Sequence, residues 1–571
     1  MYTNIEPQSK ILRAASTLTY TGTRTSYITL LKNSLIFSNS STRSYLGAPQ
    51  LLRMFKAAPK FMDIVTGVNN VTLNHNLGVI PSMIFVQDIN GTANNKVYHS
   101  GFSGGINGFS GDLSSTAIPA TGTNISATTT SINCSALSLT ADCIAYLFAD
   151  DPSTNGIIRC STFTTDATGN AIVNIGWEPQ FVLIKRLNAT DNYILLDSIR
   201  AWSVSGVTLE GDYSLANWLN VAGSTSENAI TSTPTALGFN FKGGASSTYA
   251  FMAIRRSNKP PTSAPQVFNI ITRTGIGSPV TVSGAGFPPD SIFSQARNPA
   301  NGNIIFDRIR GAAQILRTSV TNPEYNSAPN SLTAFTNDGY SAGADSTMFS
   351  CNNSGDTYAQ WIFKRAAGVF DVVCWNSISS SNQRIQHNLL AVPELIIQKQ
   401  RNSAEGWRVY VPLAIGGGIS NQLRIDTTAG ISANTNVWGT SVPSTTDYGF
   451  DSGTNYASAT VVSYLFATKA GISKIGAFTG NGTSLTINCG FAAGARFVLI
   501  KRTDSAGNWY VWDTSRGIIA ANDPHLNLND TNAEVTTDDS IDPDASGFIV
   551  NQVAATNVNV TSATYIFLAM A

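Results

Sequence analysis

Phe497-Val-Leu-Ile-Lys501-Arg502 decides how this chain is read, because Phe181-Val-Leu-Ile-Lys185-Arg186 is an identical copy of it. Looser versions are Met83-Ile-Phe-Val, Ile292-Phe-Ser-Gln-Ala-Arg297 and Leu395-Ile-Ile-Gln-Lys399. The copies begin at residues 83, 181, 292, 395 and 497, so the period is about a hundred residues throughout. A four-residue apolar run closed by two cations is short for a helix and rich in β-formers, and it reads as a buried strand. Working outward from the last copy, Thr503-Asp-Ser-Ala-Gly-Asn508 is a polar turn and Trp509-Tyr-Val-Trp512 is its return strand, which predicts a hairpin. The stretch Phe478–Ile487 predicts an opening strand. Gly547-Phe-Ile-Val550 and Tyr565-Ile-Phe-Leu-Ala569 predict a Gly-aromatic strand and a closing strand.

The closing strand recurs at Tyr146–Ala149, Ala250–Ala253, Gln360–Phe363 and Tyr464–Ala467. It is apolar on both faces, so it should lie in the middle of its sheet. Short strands at this spacing without helical periodicity predict an all-β chain of five tandem antiparallel β-sandwich domains behind a short N-terminal extension. The expected division is 1–60 for an attachment or docking segment, then repeats at 61–150, 160–256, 267–366, 369–470 and 474–571. Two sub-types are visible, in the order a-b-b-a-b. Repeats 1 and 4 carry His75-Asn76-Leu77-Gly78 and His387-Asn388-Leu389-Leu390; repeats 2, 3 and 5 carry Asp197/Arg200, Asp307/Arg310 and Asp513/Arg516. The Pro-rich run Lys259–Pro265 reads as a semi-rigid linker, and the other junctions are short enough that neighbours should pack.

Composition narrows the function classes. Only 12% of residues are charged, with 35 Lys+Arg against 35 Asp+Glu, so a nucleic-acid partner lacks the basic excess it needs. No apolar run is long enough to predict membrane insertion, and the start of the sequence does not read as a secretory signal. Six scattered cysteines without Cys-x-x-Cys spacing predict reduced thiols and synthesis in a cytoplasm.

No catalytic, cofactor or metal residues are expected. Gly101-Phe-Ser103-Gly-Gly105 matches a nucleophile elbow in letters but leads into a Gly-rich loop instead of a helix. Asp542-x-Asp544-x-Ser546-Gly547 starts like a calcium loop, yet Val553 stands where the loop needs a bidentate Glu. His75 and His387 recur at one repeat position and read as turn residues; the Asp-x-x-Arg pairs read as clasps at the strand exit. Trp202, Trp218 and Trp438 fall in long polar stretches and are the candidate receptor or glycan contacts, the alternative being aromatics tucked over their own sandwich.

The strings His75-Asn-Leu-Gly-x-x-Pro-x-Met-Ile84, Phe181–Arg186 and Trp509-Tyr-Val-Trp-Asp-x-x-Arg-Gly517 resemble the repeated β-domains of tail-fibre and related virion proteins of tailed bacteriophages, notably those infecting cyanobacteria. The resemblance covers roughly residues 62–571. It departs at Leu390, where the motif has Gly, and at Gly494-Ala-Arg496, where repeat 5 should have its Pro. It implies a non-enzymatic structural component of the virion that helps attach the particle to its host. It further implies a homotrimer that meets other tail proteins through its N-terminal segment and can meet a host receptor or glycan. A carbohydrate-binding adhesin and a polysaccharide-degrading tail protein remain as alternatives.

Overall fold

The computed structural model describes residues 34–37, 53–67, 72–88, 96–110, 117–122, 125–133, 143–153, 156–198, 202, 207–208, 217–218, 231–256, 260–298, 302–326, 331–344, 351–434, 437–456 and 458–571. The chain is all-β: its described residues form many small antiparallel sheets, and the longest α-helical piece is Ser452–Asn455. It divides into two compact units. One is Met1–Trp202 with Gly206–Ser257; the other is Asn258–Ala571 with Ser203–Ser205.

Each repeat builds a larger and a smaller antiparallel set of strands, and the larger sheet keeps one strand order. In repeat 5 it runs Ser473–Thr479, Thr564–Met570, Phe497–Arg502, Trp509–Asp513, His525–Asn527. In repeat 2 it runs Ile158–Thr164, Thr248–Arg255, Pro179–Arg186, Tyr193–Asp197, Asn217–Trp218. The closing strand thus lies between the opening strand and the apolar strand, as its two apolar faces require. In repeat 1 Lys96–His99 supplies the return strand, and Ser131–Asn133 stands where the other repeats have their Gly-aromatic strand. Neither carries the repeat's sequence signature.

One sequence expectation needs refining. The opening stretch of repeat 5 is two strands in two sheets, Ser473–Thr479 and Ser484–Asn488. Gly480-Asn-Gly482 carries the chain from one sheet to the other, and Gly482 takes φ +79, a conformation that favours glycine.

Alternation along the apolar strand explains why it has no polar face. Val498 and Ile500 point into the core of their own sandwich, with Trp512, Phe548, Val550 and Tyr565. Phe497 and Leu499 point the other way, into a second core shared with Phe268, Phe293, Trp361, Ile397, Trp407 and Tyr464 of repeats 3 and 4. A strand buried on both faces must be apolar on both, and here the second face is supplied by other repeats.

The turn histidines behave alike. His75 and His387 each accept the backbone N–H of the residue two further on, Leu77 and Leu389, through Nδ1 at 3.3 Å. Asp63 and Asp371 accept the N–H of Asn76 and Asn388 at 2.6 and 2.8 Å. The following residue has a left-handed backbone in both copies, φ +74 at Gly78 and φ +56 at Leu390. Leu390 therefore carries strain that Gly78 does not.

Candidate functional site

The charged and polar side chains that recur from repeat to repeat converge on the seams between sandwiches. Ile305, Val409 and Val511 occupy one register position on their return strands, opposite Phe293, Ile397 and Leu499. Two residues earlier stand Asn303, Trp407 and Trp509. Trp407 of repeat 4 donates its indole N–H to the Arg317 carbonyl of repeat 3 at 2.9 Å. Trp509 of repeat 5 donates to the Arg424 carbonyl of repeat 4 at 2.9 Å. Asn303 of repeat 3 donates to the Asn527 carbonyl of repeat 5 at 2.8 Å. Repeat 4 thus reaches to 3, repeat 5 to 4, and repeat 3 to 5, so the three seams close a ring.

The backbone repeats the pattern. Glu324 N–H donates to the Arg401 carbonyl at 2.7 Å, Ile431 to Thr503 at 2.8 Å, and Glu534 to Arg297 at 2.8 Å, again once per seam. Buried cations serve two seams. Lys399 Nζ donates to the Thr321 carbonyl at 3.1 Å and Lys501 Nζ to the Thr428 carbonyl at 2.8 Å. At the third seam Gln295 holds that register position and donates to Asn527. Burial pulls both ammonium groups down to about 8.

The Asp-x-x-Arg pairs are clasps, and also more than clasps. Arg310 gives its backbone N–H and Nε to Asp307 at 2.8 and 2.5 Å, and Nη2 to the Ile305 carbonyl at 2.9 Å. Arg516 repeats this on Asp513 at 3.0 and 2.6 Å, and on the Val511 carbonyl at 2.9 Å. The free ends of the clasps then cross seams. Glu324 binds Arg310 of its own repeat at 2.9 Å and Arg401 of repeat 4 at 2.7 Å. Glu534 binds Arg516 at 3.1 Å and Arg297 of repeat 3 at 2.8 Å. Burial works to raise the pKa of Glu324, but Arg310 and Arg401 outweigh it and hold the carboxyl below its usual value. Tyr464 donates to Asp307 at 2.7 Å, and Trp361 donates to Asp513 at 2.9 Å. At the third seam the matching residues are Val411 and Leu568, both buried in the shared core. Each seam is therefore internally consistent, polar against polar or apolar against apolar. Arg200 of repeat 2 lies outside the described residues.

Repeats 1 and 2 meet through the same position. His99, opposite Met83, stands where Asp307 stands opposite Ser291. Its Nε2 donates to the Phe251 carbonyl of repeat 2 at 2.9 Å, and its Nδ1 accepts from Gly101 N–H at 2.9 Å. Burial lowers its pKa to about 4, so the ring is neutral at physiological pH.

The candidate receptor contacts need correction. Trp202 is 1% exposed, inside the core of repeat 2 against Phe239. Trp438 is 1% exposed, packed between Tyr410 and Phe450, with its N–H given to the Asn421 carbonyl at 3.1 Å. Neither indole offers a face to a sugar, because each fills a gap between its sheets. The side chain of Trp218 lies outside the described residues.

The other motifs resolve locally. Ser103 lies in a turn ahead of the three-residue 3-10 helix Gly105–Asn107. Asp544 accepts the N–H and hydroxyl of Ser546 at 2.8 and 2.6 Å, which makes Asp544–Gly547 a hairpin turn, with Asp542 in the strand before it. Among the described residues no three His, Cys, Asp or Glu side chains gather as metal ligands. Cys160, Cys351, Cys374 and Cys489 form no disulfide, and the side chains of Cys134 and Cys143 lie outside the described residues.

A family model for a domain of unknown function, DUF7483, matches residues 62–255 and 263–571. The chain belongs to the DUF7483 family. The two matched segments of this DUF7483 chain meet where its two compact units part, beside the Pro-rich run. No curated protein and no solved structure matches it.

Proposed function

We propose that this DUF7483 chain is a structural component of a phage tail, part of a tail fibre or fibre-like appendage, and contributes to host attachment. The observation that supports this reading most is where the recurring polar residues go. The Asp-x-x-Arg pairs of repeats 3 and 5, Lys399 and Lys501 are buried in clasps and seams that bind three sandwiches into one body. Charge spent on holding shape suits a chain whose task is mechanical. Its strand motifs resemble those of tail-fibre domains, which gives the shape a setting.

On this reading the chain resides in the virion, as a homotrimer that contacts other tail proteins. Antibody raised to it should label the tails of intact particles in electron micrographs; capsid-wide labelling would refute the tail assignment. Light scattering on the purified 60.6 kDa chain should return three times that mass, and a monomer would remove the homotrimer from the proposal.

A further inference from the structure

Repeats 3–5 form a closed ring of three, whereas the first unit contains two repeats joined, among the described residues, by a matching seam at His99. The larger sheet of repeat 2 is nonetheless buried like that of a full ring member. Leu183, Tyr193, Leu195 and Met252 are 1%, 1%, 0% and 0% exposed, and their counterparts Leu499, Trp509, Val511 and Leu568 are 4%, 1%, 0% and 2% exposed. A sheet with a neighbour on one side only would leave part of this face in water.

An aromatic contact identifies what stands on the other side. Phe181 and Phe497 occupy the same position, opposite Asp197 and Asp513. In the closed ring Phe497 meets Phe268 of repeat 3, edge to face, at 5.5 Å between centroids. In the first unit Phe181 meets Phe55, also edge to face, at 5.5 Å. Phe55 lies on the strand Arg53–Lys56, which pairs antiparallel with Ser34–Phe37. It also packs on Phe61 beside the opening strand of repeat 1, and it adjoins the core that repeats 1 and 2 share. One ring thus touches both repeats at the position where a third sandwich would enter.

We propose that the N-terminal hairpin, Ser34–Phe37 with Arg53–Lys56, is the third member of the repeat 1–repeat 2 ring, seated on repeat 2 as repeat 3 is seated on repeat 5. The hairpin is then bound to its own chain through Phe55 and is not a free tether.

Hydrogen exchange on the full chain tests this with Phe55→Ala, Phe181→Ala and the double variant. Phe55→Ala should expose the amides of Met54–Lys56 and speed opening of Tyr193–Asp197. The two substitutions should couple about five-fold in that opening constant, the scale of a packed aromatic pair. Phe181 contributes to the core, so its single variant can lower stability by itself; the coupling cancels that contribution. Independent effects, or Tyr193–Asp197 unchanged in Phe55→Ala, would overturn the proposal.

Discussion

Replacing Arg516 by Ala should destabilise repeats 3 and 5 together. The side chain is fully buried, and besides its Nε bond to Asp513 it serves the Val511 carbonyl and Glu534. Its guanidinium lies 5.6 Å from the centre of the Trp361 ring of repeat 3. Truncation leaves the Asp513 carboxylate buried without its cation and leaves the Val511 carbonyl short of a donor. Breaking a buried pair in this way costs about 3–5 kcal/mol. For a body as large as repeats 3–5, roughly 2 °C of Tm goes with each kcal/mol, so the expected fall is roughly 6–10 °C. Calorimetry gives the size of the loss, and hydrogen exchange on Thr357–Phe363 reports whether repeat 3 feels it through Trp361 and Arg297. The half-exposed pair Arg502–Asp504 is the comparison, 3.0 Å long but solvent-screened, and Arg502→Ala should cost under about 1 kcal/mol. If Arg516→Ala costs no more than Arg502→Ala, the clasp is not a structural element and the seam argument fails.

Three further outcomes follow from the geometry. His99 has a folded pKa near 4 against an ordinary 6.5, so the unfolded chain binds the proton more readily. Its contribution is complete above pH 6.5 and is lost as pH falls towards 4, about 3 kcal/mol across that window at 1.36 kcal/mol per unit; melts of His99→Gln should lack this acid loss from the first unit. Leu390→Gly should raise stability by roughly 0.5–1 kcal/mol in denaturant titrations, because it relieves a left-handed leucine that is half exposed, while Gly78→Leu should do the reverse. Leu499→Ala should cost about 2–5 kcal/mol and leave repeats 3–5 melting in one transition, since the side chain lies in the core all three share; separate transitions for each repeat would contradict that core.

Much of the strand order was legible before the structure, because alternation and turn chemistry are local. The hairpin Phe497–Asp513, the central closing strand and the Asp513–Arg516 clasp all follow from residues close in sequence or repeated at one period. Lys96–His99 and Ser131–Asn133 escaped notice because they pair by backbone without the repeat's signature residues. Trp202 and Trp438 admit two readings in the sequence, and only burial selects the one in which they tuck into their own sandwich. A tryptophan in a polar stretch shows its neighbours in sequence but not the gap between sheets that receives it.

The amino-acid sequence by itself determined the all-β class, the hundred-residue period and the two sub-types, since these rest on patterns a few residues long. Only the tertiary structure decided that repeats 3, 4 and 5 close on one another. Apolar residues on both faces of Phe497–Ile500 suit a strand covered by any neighbour, and nothing in the pattern says which. The choice lies in contacts such as Trp361 with Asp513 and Tyr464 with Asp307, between residues more than a hundred positions apart. Burial leaves a polar group at a seam little alternative to its partner, so the pairing of seams is settled where the sheets meet.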